Sequence, residues 1–526
     1  MIKFTITEDG HHLKLSGFDL NSERSGLYSY FRKKSKAAAF NVMVDRGIWD
    51  GYDKFITKDG KIAIGLWREV YKFAEQYGFD IEIEGIDSAV SLSLDREKYL
   101  KYVDSLLSGV VDERGGPIVA RDYQVEGAYR ALKYRFCTQE LATSAGKTLI
   151  FYVYNSFLRD AGKIDMGHKS LIIVPNISLV GQTAEKFELY SVGKKPWRIC
   201  TIGGDSKFNE RSFEESEIVI STYQSLQNLP KEIFERFSVV NIDEAHKSRS
   251  KVIRDIIKSC KNWKYRLGLS GTVKIDEEFS DFFRVQENVG PLVMVLSAKH
   301  LIDQGYSPNI KIKILDLKYS SDDPYLQKYW ALKRDGLNMY KSAKDYGRDM
   351  LSIERGFIFD NRERLDLISG LIQKLGKNTL VLFSDVKNGY GRKIQSSLLE
   401  WNQNTFYIDG EVESTDRDRY KAEMESKEGV VIVASFGTFS TGIDLKNVHH
   451  IVFAESTKAE ITIRQSIGRG MRKLAEKNQV VVWDLVDQLD GYTVKHGAKR
   501  EEIYRDQQFE VSRREVDLSK KVSDKE

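Results

Sequence analysis

The chain has 526 residues, too many for a single hydrophobic core, so two to four domains are expected. Its 41% hydrophobic and 30% charged residues read as a soluble globular protein, and no apolar run approaches the roughly 18 residues needed to span a bilayer. The net charge of +4 decides nothing about partners, while three scattered cysteines (Cys137, Cys200 and Cys260) lack the spacing of a disulfide framework or zinc site.

Met1 to Gly10 alternates apolar and polar residues like a strand, and no signal-peptide segment follows. A soluble protein of the reducing cytoplasm is the expectation, in the host cell if a phage encodes it. Residues 1–95 read as a small α+β domain, with a helix near Leu66 to Tyr77 and a strand at Phe79 to Ile83. Within it, Arg32, Lys33, Lys34 and Lys36 interleave with Tyr28, Tyr30 and Phe31. That mixture suits nucleic acid, and it equally suits a solvated helix with a core stripe. Trp49 fits either core packing or stacking on a base.

From about Leu141 onward, short apolar runs alternate with helical patterns. The runs are Leu171–Val174, Ile218–Ile220, Val239–Ile242 and Arg266–Leu269, then Leu380–Phe383, Val430–Val433, His450–Phe453 and Val480–Trp483. Continuous rather than alternating runs imply strands covered on both faces, hence parallel sheets with crossover helices. Two clusters of runs imply two α/β lobes, residues 100–295 and 366–495. Residues 296–365, opened by the break at Gly305 to Pro308, read as an interlobe connection carrying helices. Residues 496–526 read as a charged tail, a helix or a disordered end. Polar or small residues end most runs: Pro175, Ser221, Asp243, Ser270, Ser384 and Ser435. Open α/β sheets carry their sites beyond the carboxyl ends of the strands.

The segment Thr143-Ser144-Ala145-Gly146-Lys147-Thr148 precedes a helical pattern from Leu149 to Leu158. A phosphate-binding loop needs backbone N–H groups at a helix N-terminus, a lysine for the β- and γ-phosphates and a hydroxyl for Mg²⁺. Lys147 and Thr148 are the candidates, although Leu141 stands where the general pattern has its first glycine. Roughly a hundred residues later, Val239–Ile242 runs into Asp243-Glu244-Ala245-His246. There Asp243 is placed to hold Mg²⁺ with Thr148, and Glu244 to orient or deprotonate the attacking water. In Gln465-Ser466-Ile467-Gly468-Arg469-Gly470-Met471-Arg472, two arginines three apart share a helical face. Arg469 and Arg472 can serve as arginine fingers on a transferring phosphoryl group.

The order of these segments resembles a superfamily 2 helicase of the DEAH-containing kind, from about residue 118 to 487. That resemblance implies two RecA-like lobes. It implies that Tyr123 and Gln124 of Arg121-Asp122-Tyr123-Gln124 lie at the adenine, and that Gln465, Gly442 and Asp444 serve the nucleotide. It also implies that Ser270, Thr272 and His246 couple ATP state to lobe movement. Gly47-Ile48-Trp49-Asp50-Gly51 and Phe436-Gly437-Thr438-Phe439-Ser440-Thr441-Gly442-Ile443, with the phosphate loop and Leu269-Ser270-Gly271-Thr272, are similar to the UvsW helicases of T4-like phages. In that family a small N-terminal domain helps to hold DNA. The similarity implies ATP-driven 3′→5′ unwinding and remodelling of branched DNA, including junctions, stalled forks and R-loops, in recombination and repair.

Force on a strand requires contacts from both lobes. Candidates in the first are Pro175, Asn176, Gln182, Gly203, Gly204 and the segment Ser221-Thr222-Tyr223-Gln224, and in the second Ser384, Ser435, Thr438 and Thr441. Small polar groups at strand ends suit phosphate contacts, which position a strand without reading its sequence. The expected partner is single-stranded or branched DNA, with RNA–DNA hybrids included, bound by a monomer. An RNA helicase and a non-catalytic nucleic-acid clamp are the competing readings.

Overall fold

The computed structural model describes all residues except 114, 205, 274–278, 336–342, 441–444, 446, 458, 471–477, 490 and 520–526. It divides into two compact units, Met1–Leu296 and Ser297–Glu526.

The first unit opens with six short strands: β1 (Ile2–Ile6), β2 (His12–Gly17), β3 (Arg32–Lys34), β4 (Tyr52–Lys54), β5 (Lys61–Ala63) and β6 (Ile81–Glu84). Four form a mixed sheet in the order β5-β2-β1-β6, and β3 and β4 make a separate antiparallel pair. The helix Trp67–Tyr77 places Val70 and Phe73 on one side, where they join Ile2, Phe4, Leu13 and Ile62 in the core. That core is continuous with the lobe that follows, because Phe282, Phe283 and Val285 of the helix Ser280–Asn288 belong to the same apolar cluster. Polar contacts fix the same seam: Arg284 pairs with Asp53 at 3.1 Å and Gln286 Nε2 donates to Glu69 Oε1 at 3.1 Å. At Gly65 the backbones come so close that a Cβ would lie 2.1 Å from the Gln286 carbonyl oxygen.

The lobe itself is an all-parallel sheet of β7 (Phe136–Leu141), β8 (Lys169–Val174), β9 (Ile199–Ile202), β10 (Ile218–Thr222), β11 (Phe237–Asp243), β12 (Tyr265–Ser270) and β13 (Leu292–Leu296). Their order is β13-β7-β12-β11-β8-β10-β9.

The second unit holds another seven-stranded parallel sheet: β14 (Asn309–Lys318), β15 (Thr379–Phe383), β16 (Thr405–Ile408), β17 (Val431–Ser435), β18 (His450–Phe453), β19 (Gln479–Asp487) and β20 (Glu510–Asp517). The order is β16-β17-β15-β18-β19-β14-β20. This is the two-lobe parallel α/β architecture, with a small N-terminal α+β part, that the runs and the resemblance imply.

Two stretches differ from their sequence reading. The segment after Gly305 begins with a ten-residue strand, β14, before its helices Pro324–Asp335 and Ala343–Asp360. Beyond residue 496 the helix Tyr492–Asp506 is followed by β20 on the sheet edge. Charged edge strands carry little apolar signal, and β20 exposes most of its side chains while Arg513 pairs with Asp316 at 2.5 Å.

Buried ion pairs tie helices to this sheet. Arg364 and Asp487, both fully buried, meet at 2.6 Å, and Arg500 and Asp484 at 2.7 Å. Glu354 caps the helix Tyr492–Asp506 by accepting from the backbone N–H groups of Tyr492 and Thr493, each at 3.0 Å.

Candidate functional site

Three neighbouring strands of the first lobe, β7, β12 and β11, end side by side, and their following loops build the site. β7 runs through Ala142–Ala145 into the helix Lys147–Asp160, whose N-cap, Gly146, has φ +73°. That positive φ favours glycine, and a Cβ there would approach Gln124 Nε2 to 2.4 Å and displace that amide. Ser144 also holds a left-handed conformation, φ +70°. Strain of this kind persists only where surrounding structure demands it, commonly at ligand-binding loops. The first turn of any α-helix has backbone N–H groups without intrahelical partners, which here follow directly from the loop.

Gln124 is buried beneath this loop: Nε2 donates to the Ala145 carbonyl at 2.8 Å, while Oε1 accepts from Arg121 N–H at 2.9 Å. Tyr123 is buried beside it, its hydroxyl accepting from Arg121 at 2.7 Å. In this conformation Gln124 braces the loop Ala142–Gly146.

β11 delivers Asp243 and Glu244, and Glu244 takes φ +54°. Its two carboxylate oxygens face different neighbours. Lys147 Nζ donates to Oε1 at 3.4 Å, while Oε2 accepts from Ser270 Oγ at 3.3 Å and lies 3.2 Å from His246 Nδ1. Ser270 Oγ and His246 Nδ1 are 2.8 Å apart. The hydroxyl also accepts from Thr272 N–H at 3.2 Å, and Thr272 Oγ1 is buried without a hydrogen-bond partner. A continuous chain therefore links Lys147, Glu244, His246, Ser270 and the Thr272 backbone.

Asp243 accepts from the Glu244 N–H through Oδ1 at 3.0 Å. Burial pushes its carboxyl up to about 6, Lys147 draws it down and the Glu244 charge adds to the rise. A divalent cation at this strand end would favour the ionised form, so the donor set fits Mg²⁺. Lys147 is held by one long contact to a carboxylate, which an incoming phosphate can replace.

The candidate nucleic-acid residues of this lobe fall on the other half of the same sheet edge, after β8, β10 and β9. Asn176 caps the helix Ile177–Tyr190 by accepting from Leu179 N–H at 3.0 Å, and its buried Nδ2 has no hydrogen-bond partner. Gln182 is exposed on that helix, Pro175 precedes the cap, and Gly203 and Gly204 follow β9 in left-handed conformations. A Cβ at Gly203 would contact Ser225, Val180 and Thr222, so these loops converge. The Thr222 hydroxyl accepts from Ser225 N–H at 3.2 Å as a helix cap and is buried, whereas Tyr223 is half-buried.

In the second unit, Ser384 follows β15 and Ser435 ends its neighbour β17. Ser435 Oγ donates to Thr438 Oγ1 at 2.9 Å. Gln465 lies half-buried on the helix Glu460–Gly470. Thr441, Gly442, Asp444 and Arg472 lie outside the described residues, as does the Arg469 side chain.

Two acidic residues escaped the sequence reading. Glu140, inside β7, accepts from Val273 N–H at 2.9 Å and so holds the loop after Ser270-Gly271-Thr272. Glu455, just after β18, accepts from the backbone N–H groups of Ser384 and Asp385, both at 2.7 Å. Burial raises its carboxyl, and Arg355 lies 3.5 Å away. A cavity of about 440 Å³ opens there, lined by Arg348, Arg355, Asp385, Asn388 and Lys393. The strand-end rule that selected Ser384 would have found Glu455; Glu140, one residue short of the end of β7, offers no such signal because that strand carries no continuous apolar run.

Residues 118–275 match the family model "Type III restriction enzyme, res subunit", and residues 363–473 match "Helicase conserved C-terminal domain". The ATP-dependent DNA helicase uvsW of Enterobacteria phage T4 is 28% identical over 514 residues, covering 94% of this chain and 95% of its own. A fragment of a putative HsdR subunit of a type I restriction enzyme from Vibrio vulnificus YJ016 shares the fold, with TM-score 0.54, 16% identity and coverage of 87% of this chain and 85% of that one. The Type ISP restriction-modification enzyme LlaBIII also shares it, with TM-score 0.52, 14% identity and coverage of 77% and 32%. No helix among the described residues is long and apolar enough to cross a membrane. With a glycine-capped loop, an acidic strand end and a hydrogen-bonded serine–histidine pair on one sheet edge, and with these matches on both lobes, the chain is an ATP-hydrolysing helicase similar to UvsW.

Proposed function

We propose that this helicase is a DNA motor that moves 3′→5′ and remodels branched DNA such as junctions, stalled forks and R-loops, acting as a monomer in recombination and repair. The observation that carries the reading is the link from Lys147 through Glu244 to Ser270 and His246 at the end of three adjacent strands. The near full-length similarity to a DNA helicase supports DNA over RNA as the track.

In this reading Lys147 leaves Glu244 for the β- and γ-phosphates of ATP, and the freed carboxylate orients and deprotonates the attacking water. Thr148 and Asp243 would hold Mg²⁺, which supplies charge neutralisation at the phosphates. His246 and Ser270 hold the second oxygen of Glu244, so loss of phosphate is felt at the Ser270–Thr272 turn. Gln124, which also supports the loop, reads the adenine, with Tyr123 packed nearby. Arg469 and Arg472 stabilise developing phosphoryl charge, and Gln465, Gly442 and Asp444 complete the nucleotide contacts. Pro175, Asn176, Gln182, Gly203, Thr222 and Tyr223 in one lobe, and Ser384, Ser435, Thr438 and Thr441 in the other, face the strand.

The test is ATP hydrolysis with single-stranded DNA, duplex DNA, a four-way junction or RNA added, beside Lys147→Ala. Stimulation by single-stranded or branched DNA that the substitution abolishes is the expected result. Stimulation by RNA alone would transfer the motor to RNA, and hydrolysis under no condition would make the chain a clamp.

A further inference from the structure

The N-terminal domain carries a feature that ATP chemistry does not use. Between β3 and β4 the chain passes through the turn Lys36–Phe40 and the four-residue helix Val42–Asp45. Three large apolar side chains there face solvent: Val42 is 54% exposed, Met43 46% and Ile48 62%. Apolar surface concentrated within so few residues marks a binding surface, because leaving it in water is unfavourable.

The tip is firmly built. Asn41 Oδ1 accepts from Met43 N–H at 2.9 Å, and the Met43 carbonyl accepts from Ile48 and Trp49 at 2.9 and 3.1 Å. Gly47 makes the turn at φ +67°. Trp49 is half-buried, and its Nε1 donates to the Tyr52 carbonyl at 3.0 Å, which anchors the tip to β4. Ser35 N–H donates to the Gly51 carbonyl at 2.9 Å and closes the base.

Its surroundings are basic. From Arg32 to Lys54 there are six lysines and arginines against three aspartates. Arg46 is exposed on the tip itself, and Arg32, Lys34 and Lys54 are exposed on the two strands below. Asp50 is paired with Arg32 at 3.2 Å and Asp53 with Arg284 at 3.1 Å, and exposed Asp45 stands beside Arg46 on the tip, so the excess positive charge rests on Lys34 and Lys54, which face water. An apolar partner protein would not require that ring of cations. Nucleic acid answers to both halves, since bases present apolar faces and phosphates present charge; aliphatic and methionine side chains pushed between base steps are a known means of unstacking them.

We propose that Val42, Met43 and Ile48 form a wedge that meets nucleobases at the boundary between paired and unpaired DNA, with Arg46 and the β3–β4 cations on the flanking phosphates. The proposal rests on the reading of this chain as a DNA motor, and its test separates the two.

The full chain is compared with V42S/M43S/I48S, whose positions are exposed enough for the fold to tolerate them. The probe is a forked duplex with 2-aminopurine at the junction. The unaltered chain is expected to brighten the junction base on binding without ATP, and the triple variant to lose that signal. Fork unwinding should fall at least about tenfold, while ATP hydrolysis stimulated by single-stranded DNA stays within about twofold. Unchanged unwinding and junction fluorescence would overturn the wedge, and so would an equal fall in unwinding and single-strand-stimulated hydrolysis, which would make the tip part of the motor. Retained unwinding with altered sedimentation would also overturn it, identifying a protein contact. If DNA fails to stimulate hydrolysis by the unaltered chain, the motor reading itself falls, and the wedge with it.

Discussion

Glu244 occupies a conformation that few side chains adopt, and its carboxylate divides its two oxygens between opposite neighbours. Oε1 faces the lysine that phosphate would claim, and Oε2 faces the Ser270–His246 pair. A group placed this way is suited to sense phosphate and to act on water next to it. Replacing it with Gln keeps size and one accepting oxygen, but exchanges the other oxygen for an NH2 donor and removes the charge and the basic lone pair. Glu244→Gln should therefore bind ATP with near-normal affinity and lower turnover by about 10²-fold or more, in keeping with the weight of general-base catalysis. Equilibrium binding of a fluorescent ATP analogue beside steady-state hydrolysis checks both halves. Unchanged turnover would remove Glu244 from the role of base. Gly146 makes a complementary point at the same scale, because its positive φ favours glycine and a Cβ there would push the Gln124 amide off the Ala145 carbonyl.

At the scale of elements, the second unit is held by charges that never reach water. Arg364 meets Asp487 at 2.6 and 3.0 Å and also donates to the Ala454 carbonyl at 2.9 Å, so one guanidinium joins the helix Arg362–Leu375 to the ends of β18 and β19. Removing one member of such a pair leaves its partner buried and unpaired, which costs about 3–5 kcal/mol, whereas replacing both by apolar residues is far milder. Arg364→Ala should thus lower amide-exchange protection in β15, β18 and β19 while leaving β8 and β11 unchanged, and Arg364→Met with Asp487→Leu should recover most of it. Equal loss in both units would sink the assignment. Sequence pattern alone exposes little of this. The eight apolar runs all coincide with strands, since strands covered on both faces need nothing but apolar residues. β7 hides because Thr138, Gln139 and Glu140 are buried in it, each bonded to the backbone of a neighbouring segment. β14 alternates isoleucine with lysine, and β20 is almost wholly polar, so neither resembles the central strands. The loop capped by Gly146 and the acidic end of β11 were legible as a loop before a helix and a strand end because particular residues stand there at short spacing. The bracing of Gln124 and the clasp of Glu455 on Ser384 depend on contacts between segments far apart in sequence.

For the whole molecule, 81 basic residues stand against 77 acidic ones, so its long-range field is weak and the proposed affinity for DNA must come from local contacts. Phosphates that are neutralised locally release counterions, and log K then falls linearly with log salt, at about −0.7 per neutralised phosphate on single strands. Four to six such contacts would give a slope of about −3 to −4, hence a loss of roughly a hundredfold between 50 and 200 mM salt. Because the candidate contacts are small polar groups and backbone amides at strand ends, the slope should not change with DNA sequence. Fluorescence anisotropy with two unrelated single strands across that range measures it. The wedge residues give the same experiment a second use. V42S/M43S/I48S removes no charge, so it should leave the slope on single strands unaltered. Arg46→Ala should flatten the slope on a fork by about one phosphate's share. A slope near zero, or one that differs between the two strands, would mean that the chain holds DNA through its bases, and the strand-end residues would then lose their assigned part in binding.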